Sequence, residues 1–252
     1  MKKYSYFILL AAFLSLANTG ILYAQEENAE TESPFSISCD FMSRYVWRGT
    51  DFGGSPSIQP GIEYSKGGFS IGAWGAYATN EAGVQETDLY VSYAINEMFS
   101  LTFTDYYFPD ELADYKYFDF KKATTGHVFE ASLSFNGTEK FPLSILIATN
   151  IGGADAKKVN SDGSTGGIQY STYAELTYSF THFDLFLGAN LTGVDVENGE
   201  SGFYGNDFGI VNLGITATKE INITNTFKLP LTLSLITNPL AEKIYFVAGF
   251  SF

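Results

Sequence analysis

The feature that most constrains this chain is a two-residue alternation of apolar and polar side chains, repeated along most of its length. The last stretch shows it most cleanly. In EKIYFVAGFSF, Ile244, Phe246, Ala248, Phe250 and Phe252 fall on one face, and Lys243, Tyr245, Val247, Gly249 and Ser251 on the other. A period of two marks a β-strand with one face on an apolar medium. From Pro34 onward about twelve such segments follow one another. They run from Phe35 to Trp47, Ser57 to Ser65, Phe69 to Thr79, Thr87 to Ile95, Phe99 to Tyr107 and Phe129 to Phe135. They continue from Phe141 to Ile147, Tyr170 to Phe180, Phe183 to Leu191, Val211 to Ala217, Phe227 to Leu235, and the closing stretch. Pro60 removes a ladder bond from the second and predicts a bulge there.

Twelve strands with one apolar face each need something to cover those faces. Aromatics make up 17% of the chain, as much as all charged residues together. Beyond the N-terminus no window reaches eighteen apolar residues, so a membrane-crossing helix is not expected. The mean hydropathy of +0.01 is compatible with crossing by strands, because alternation hides lipophilicity from a hydropathy window. The expected fold is all-β: a transmembrane antiparallel up-and-down β-barrel of about twelve strands, after a cleaved signal peptide.

Residues 1–24 read as that signal, with Lys2 and Lys3 ahead of an apolar run from Phe7 to Leu16 and cleavage after Ala24. Residues 25–33 form an acidic lead expected to be disordered, and residues 34–252 the barrel. The formal charge of −14 becomes −16 once the signal leaves with its two lysines. Nothing basic clusters, so nucleic acid is not an expected partner. The single Cys39 excludes an internal disulfide.

Connection lengths alternate. They are long after odd-numbered strands (48–56, 80–86, 109–126, 152–167, 194–207) and short after even-numbered ones (66–68, 96–98, 136–140, 181–182, 219–226). Only 238–241 breaks the rule. Aromatics bracket an aliphatic band, with Phe35, Phe69, Phe99 and Phe141 at one set of ends and Trp47, Tyr77, Tyr107 and Tyr170 at the other. Two aromatic belts, long outer loops and short inner turns describe a barrel of the Gram-negative outer membrane. The terminal Phe250 and Phe252 resemble the insertion signal of such barrels. The expected partners are therefore the lipid bilayer and the barrel-assembly machinery. A soluble secreted β-barrel, with its apolar face inward, is the lesser alternative.

Several pieces together resemble the TorF-type porins, a family of uncharacterised outer-membrane proteins. They are SRYVWRG at 43–49, PSIQPGIEY at 56–64, GFSIGAWG at 68–75, ETDLYVSYAI at 86–95 and DYYFPDE at 105–111. The likeness covers the first third of the mature chain. It implies a barrel and a pore, with no agreed substrate and no catalytic residues.

Parity places charges on the polar, lumen-facing side: Asp40, Arg44, Glu63, Asp88, Asp105, Glu130, Glu175, Asp184, Lys228 and Lys243. Acids outnumber bases, which favours small cationic or neutral solutes diffusing passively. The other reading is a non-conducting surface barrel, its lumen closed by paired charges and its outer loops binding or shielding. Arg44 and Arg48 are the expected constriction residues, with Asp51 as a local partner. Trp74, between Gly72 and Gly75, offers an inward stacking face or simple lumen packing. In the loop 110–122, Tyr115, Tyr117, Phe118 and Phe120 are candidates for inward constriction, strand extension or surface binding. No enzyme is expected: the two histidines, His127 and His182, are scattered and no G-x-S-x-G occurs. No cofactor or metal is expected either; Asp155 and Asp162 match no known calcium loop.

Overall fold

The structure, a computed structural model, describes residues 33–80, 84–109, 116–121 and 124–252. The expected signal peptide and all but the last residue of the expected acidic lead fall outside these residues. Twelve strands form one closed antiparallel barrel. They are β1 (Phe35–Met42), β4 (Ser57–Lys66), β5 (Phe69–Ala78), β6 (Gln85–Ala94), β7 (Phe99–Tyr107), β8 (His127–Phe135) and β9 (Leu143–Gly153), then β12 (Thr172–Ser179), β13 (Asp184–Asn190), β14 (Gly209–Asn222), β15 (Lys228–Asn238) and β16 (Lys243–Ser251). Two hairpins stand outside the wall: β2 (Val46–Trp47) with β3 (Thr50–Asp51), and β10 (Lys157–Val159) with β11 (Thr165–Ile168).

The wall is inside-out relative to a soluble protein. Ile62, Ile71, Leu89, Phe103, Leu133, Ile147, Leu185, Leu233 and Phe246 are exposed on the outside. Ser70, Ser100, Thr102, Thr104, Ser132, Ser134, Thr232 and Ser234 are buried inside. An apolar outer belt around a polar interior is the surface of a membrane-spanning barrel. It excludes the soluble alternative, which would bury the same leucines and isoleucines.

Parity fails where the backbone departs from a plain strand. β1 was expected to run to Trp47 but stops at Met42. Ser43 ends it: its amide donates to Ala248 O (2.7 Å), and its own hydroxyl accepts from the Ala248 amide (2.9 Å). The chain then turns inward, so Tyr45 and Trp47 are buried in the lumen and not on the outer belt. In β14 the register shifts opposite Gly188 and Ala189. The extra residue is Val211, which is thereby buried rather than lipid-facing. Pro60 makes no bulge. Ile58 opposite Tyr77 and Gly61 opposite Trp74 keep one register across it.

The seam where the barrel closes is short. β1 pairs with β4 over all eight of its residues, Phe35↔Tyr64 to Met42↔Ser57. Against β16 it pairs only from Asp40 to Met42, extended by mutual Cys39–Phe252 backbone bonds of 3.1 Å. Below that point Ile37 is 82% exposed. Phe41 and Phe250 stack over the seam at 5.5 Å, and Phe252 meets both edge-on at 5.8 Å.

Candidate lumen closure

The segment that turns inward carries the site. Arg48 and Gly49 sit at the tip of the β2–β3 hairpin with φ of 48° and 77°. The second value is left-handed, which glycine adopts without strain. Glycine is also required by space: a Cβ on Gly49 would lie 1.8 Å from Val211 O. The tip is thus pressed flat against β14, and Asn238 Nδ2 on β15 donates to Gly49 O at 3.2 Å.

From there the Arg48 side chain crosses to the far wall. Nη1 and Nη2 donate to the two Glu130 oxygens on β8, at 2.5 and 3.0 Å. Nη1 also donates to Tyr204 OH. Tyr106 OH gives Glu130 Oε1 a bond of 3.1 Å, and Tyr204 OH gives Oε2 one of 3.2 Å. Each carboxylate oxygen therefore has two partners. The guanidinium lies 4.3 Å from the Trp47 ring centroid, 4.7 Å from that of Tyr173 and 5.5 Å from that of Tyr204. The two charged side chains are 2% and 1% exposed.

An unpaired charge in such a place would be prohibitive, and a bidentate pair with every oxygen satisfied is the arrangement that tolerates burial. Aromatic rings extend the layer. Tyr45 packs on Trp74 at 5.5 Å, Trp47 on Tyr106 at 5.3 Å and Tyr173 on Tyr204 at 5.6 Å. Tyr204 arrives from the β13–β14 loop. Asn190 Nδ2 holds that loop by donating to the carbonyls of Thr192, Gly205 and Asp207 at 2.9–3.0 Å. The layer touches β5, β7, β8, β12, β14 and β15, so it spans the lumen near its long-loop end.

Room for the large rings comes from glycines on neighbouring strands. A Cβ on Gly188 would meet Tyr173 OH at 1.9 Å, and one on Gly72 would meet Tyr90 OH at 2.0 Å. Tyr173 OH also donates to Glu175, which accepts from Asn212 Nδ2 at 2.9 Å.

Of the residues expected in the lumen, Asp40, Asp88, Glu130 and Glu175 point inward, and Glu63 accepts from Tyr90 OH at 3.1 Å and Ser65 Oγ at 2.5 Å. The Arg44–Asp51 bridge exists, so it is Arg44 that takes the local partner and Arg48 that takes the cross-lumen one. Trp74 is inward and packs against Tyr45, the rings tilted by 58°. Lys243 is exposed at the outer end of β16, and Lys228 pairs with Glu220 on the exposed turn side at 2.7 Å. Asp105 is a correction. It shares parity with Phe99 and Phe103, faces outward, and pairs with His127 Nδ1 at 2.7 Å. Tyr117, Phe118 and Phe120 lie with it on the outer wall; Tyr115 lies outside the described residues. Asp155 is buried as a cap, accepting from Asn150 Nδ2 and the Ser171 amide, and Asp162 accepts from Ser164. Glu86, buried beside Asp88 on β6, and the inward Tyr106 and Tyr173 were not singled out from sequence. For the two tyrosines the signal was present: each is a large polar residue on the inward parity of a strand that otherwise carries Ser or Thr there, Ser100, Thr102 and Thr104 on β7 and Thr177 and Ser179 on β12.

A family model described as a bacterial protein of unknown function (Gcw_chp) matches residues 28–141. No curated protein matches. Among solved structures, BamA from Haemophilus ducreyi lacking POTRA domains 1–3 aligns at 13% identity with a TM-score of 0.40. The alignment covers 81% of this chain and 41% of that one, so the chain spans about two fifths of that protein's length.

Proposed function

We propose that this chain is a barrel of the bacterial outer membrane whose lumen rests closed, the β2–β3 hairpin acting as an internal plug. The observation that carries this reading is the buried Arg48–Glu130 pair. Its guanidinium has almost no solvent contact, and its surroundings reach most of the way round the wall. In this reading the long-loop end is a binding or shielding surface, and no chemical step is catalysed. Assembly in the outer membrane relies on the exposed terminal aromatics Phe250 and Phe252 as the signal to the barrel-assembly machinery.

A second reading has its own support. On the short-turn side of the plug the interior is lined by Ser and Thr with the acids Asp40 and Glu63. With the hairpin displaced, such a passage suits small cationic or neutral solutes, as in a gated porin. Single-channel recording of the refolded mature chain in a planar bilayer separates the readings. The resting plug predicts silence from a barrel shown folded by heat-shifted gel mobility. Steady open steps from the native chain would refute closure, and their reversal potential under a salt gradient would test the cation preference.

A further inference from the structure

The lumen closure holds two more acids, which the Arg48–Glu130 pair leaves unbalanced. Glu86 and Asp88 alternate with Gln85 and Thr87 on β6, so both point inward. They are 1% and 5% exposed. Glu86 faces Ala76 across the ladder to β5, and Asp88 stands between Trp74 on β5 and Tyr106 on β7. The two carboxyls lie within hydrogen-bond reach of each other, and the Tyr45 hydroxyl donates to Glu86. Tyr45 belongs to the segment that turns inward, and its carbonyl accepts from the Phe52 amide at 2.8 Å, closing the base of the β2–β3 hairpin. The acids therefore meet the plug at its root, while Glu130 holds its tip.

Nothing basic meets them. Arg48 is taken by Glu130 and Arg44 by Asp51, and among the described residues neither Glu86 nor Asp88 forms an ion pair. Glu86 Oε2 and Asp88 Oδ1 are buried, yet no donor reaches either. A carboxylate oxygen only accepts, so two such groups side by side repel unless something positive comes between them. Buried charge is balanced by a partner or by a metal, and an orphaned buried polar atom marks a place for an ion or a water. Two carboxylates match the charge of one divalent cation. Their all-oxygen donor set selects hard ions such as calcium and magnesium. Among the described residues no third acid or histidine joins the pair, so the ion completes its shell with waters, as magnesium does where one or two carboxylates hold it.

We infer that Glu86 and Asp88 form a divalent-cation site that latches the plug. The ion bridges Glu86 Oε2 and Asp88 Oδ1, and the fixed Glu86 carboxylate holds the Tyr45 hydroxyl and with it the root of the hairpin. The inference deepens the closed-lumen reading and rests on it.

The test refolds the full mature chain into vesicles in EDTA, removes the chelator and adds terbium(III), a hard ion standing in for calcium, whose luminescence Tyr45 and Trp74 would sensitise. The native chain should give that signal and calcium should displace it. E86Q/D88N, which keeps the shapes and removes the charges, should lose most of it. Bilayer recordings read the latch: the native chain should open several-fold more often in EDTA than in calcium, and E86Q/D88N should respond to neither. Heat-shifted gel mobility checks that each chain is folded; should the double variant not fold, E86Q alone carries the same test. Terbium luminescence unchanged in a folded variant overturns the site. Opening that follows pH but not calcium means that a shared proton bridges the acids, and overturns it too. Native silence in calcium and EDTA alike overturns the latch and leaves the closed lumen standing. Steady open steps in both refute the closed lumen itself, and the latch with it.

Discussion

Truncating Glu130 to alanine tests the plug most directly. The substitution removes both guanidinium bonds, at 2.5 and 3.0 Å, and the acceptor of the Tyr106 and Tyr204 hydroxyls. It leaves Arg48 charged, buried and held only by Tyr204 and three ring faces. Breaking one side of a buried pair costs about 3–5 kcal/mol. All twelve strands of the wall keep their backbone ladders, so this cost falls on the seated hairpin and not on the whole barrel. At about 1.4 kcal/mol per factor of ten, the closed-to-open ratio drops by roughly 140- to 3,700-fold. In a planar bilayer, E130A should therefore flicker open where the native chain is silent. R48M should do the same, since it strands Glu130 instead. The double variant R48M/E130M should close again, because an apolar pair of similar bulk fills the layer with no charge left over. Singles as quiet as the native chain, with native heat-shifted mobility, would mean the pair is not what holds the hairpin. A double variant as leaky as the singles would mean that shape, not charge, was lost.

Three further outcomes follow from other contacts. Gly49→Ala places a Cβ where Val211 O stands and forces a left-handed alanine, costing about 1–2 kcal/mol in backbone alone; the hairpin should unseat and the bilayer trace resemble that of E130A, and a silent G49A would contradict the close approach to β14. Gly188→Ala overpacks Tyr173 and should lower the urea midpoint of the vesicle-embedded barrel by an amount corresponding to about 1–3 kcal/mol, whereas an unmoved midpoint would show that the ring has room elsewhere. Acid should loosen the outer loops: Glu200 accepts from the amides of Asp195 and Val159 and from Gln169, and these bonds hold its carboxyl below the ordinary range. Because the folded value is the lower one, the tie is complete above the ordinary glutamate range and is lost as pH falls through the depressed value. Hydrogen exchange at the Val159 amide, corrected for its intrinsic rate, should show protection falling with acid in the native chain and already low, without that dependence, in E200Q.

The barrel was legible because its evidence is periodic. Parity assigned Leu89, Leu133, Leu185 and Leu233 to the outside without any knowledge of partners, since a strand face is a property of the strand alone. The plug was half legible. Arg48 and Glu130 were both marked as lumen or constriction residues, but no local pattern says that they meet across 82 positions. Tyr204 carried no signal, being a loop residue placed by three bonds from Asn190. Parity misled wherever one residue broke the count. Ser43 ended β1 early and sent Tyr45 and Trp47 inward; the bulge at Val211 reversed a side chain; and Asp105 was counted among the lumen charges by parity although its odd number puts it with Phe99 and Phe103 on the outside.

The short seam has a mechanical meaning. Eleven of the twelve strand junctions in the wall are joined along most of a strand, while the twelfth holds β1 to β16 by three paired residues, the mutual Cys39–Phe252 backbone bonds at one end and the two Ser43–Ala248 bonds at the other. Those two strands stand at opposite ends of the barrel sequence, so the junction cannot form until both ends of the barrel chain are made. It is the last stitch of the tube and the place where a pull on either end begins to unravel it. The packed rings of Phe41, Phe250 and Phe252 act as a clasp over that stitch. Loosening the clasp should reduce resistance to lateral parting long before it disturbs the plug on the other side of the wall.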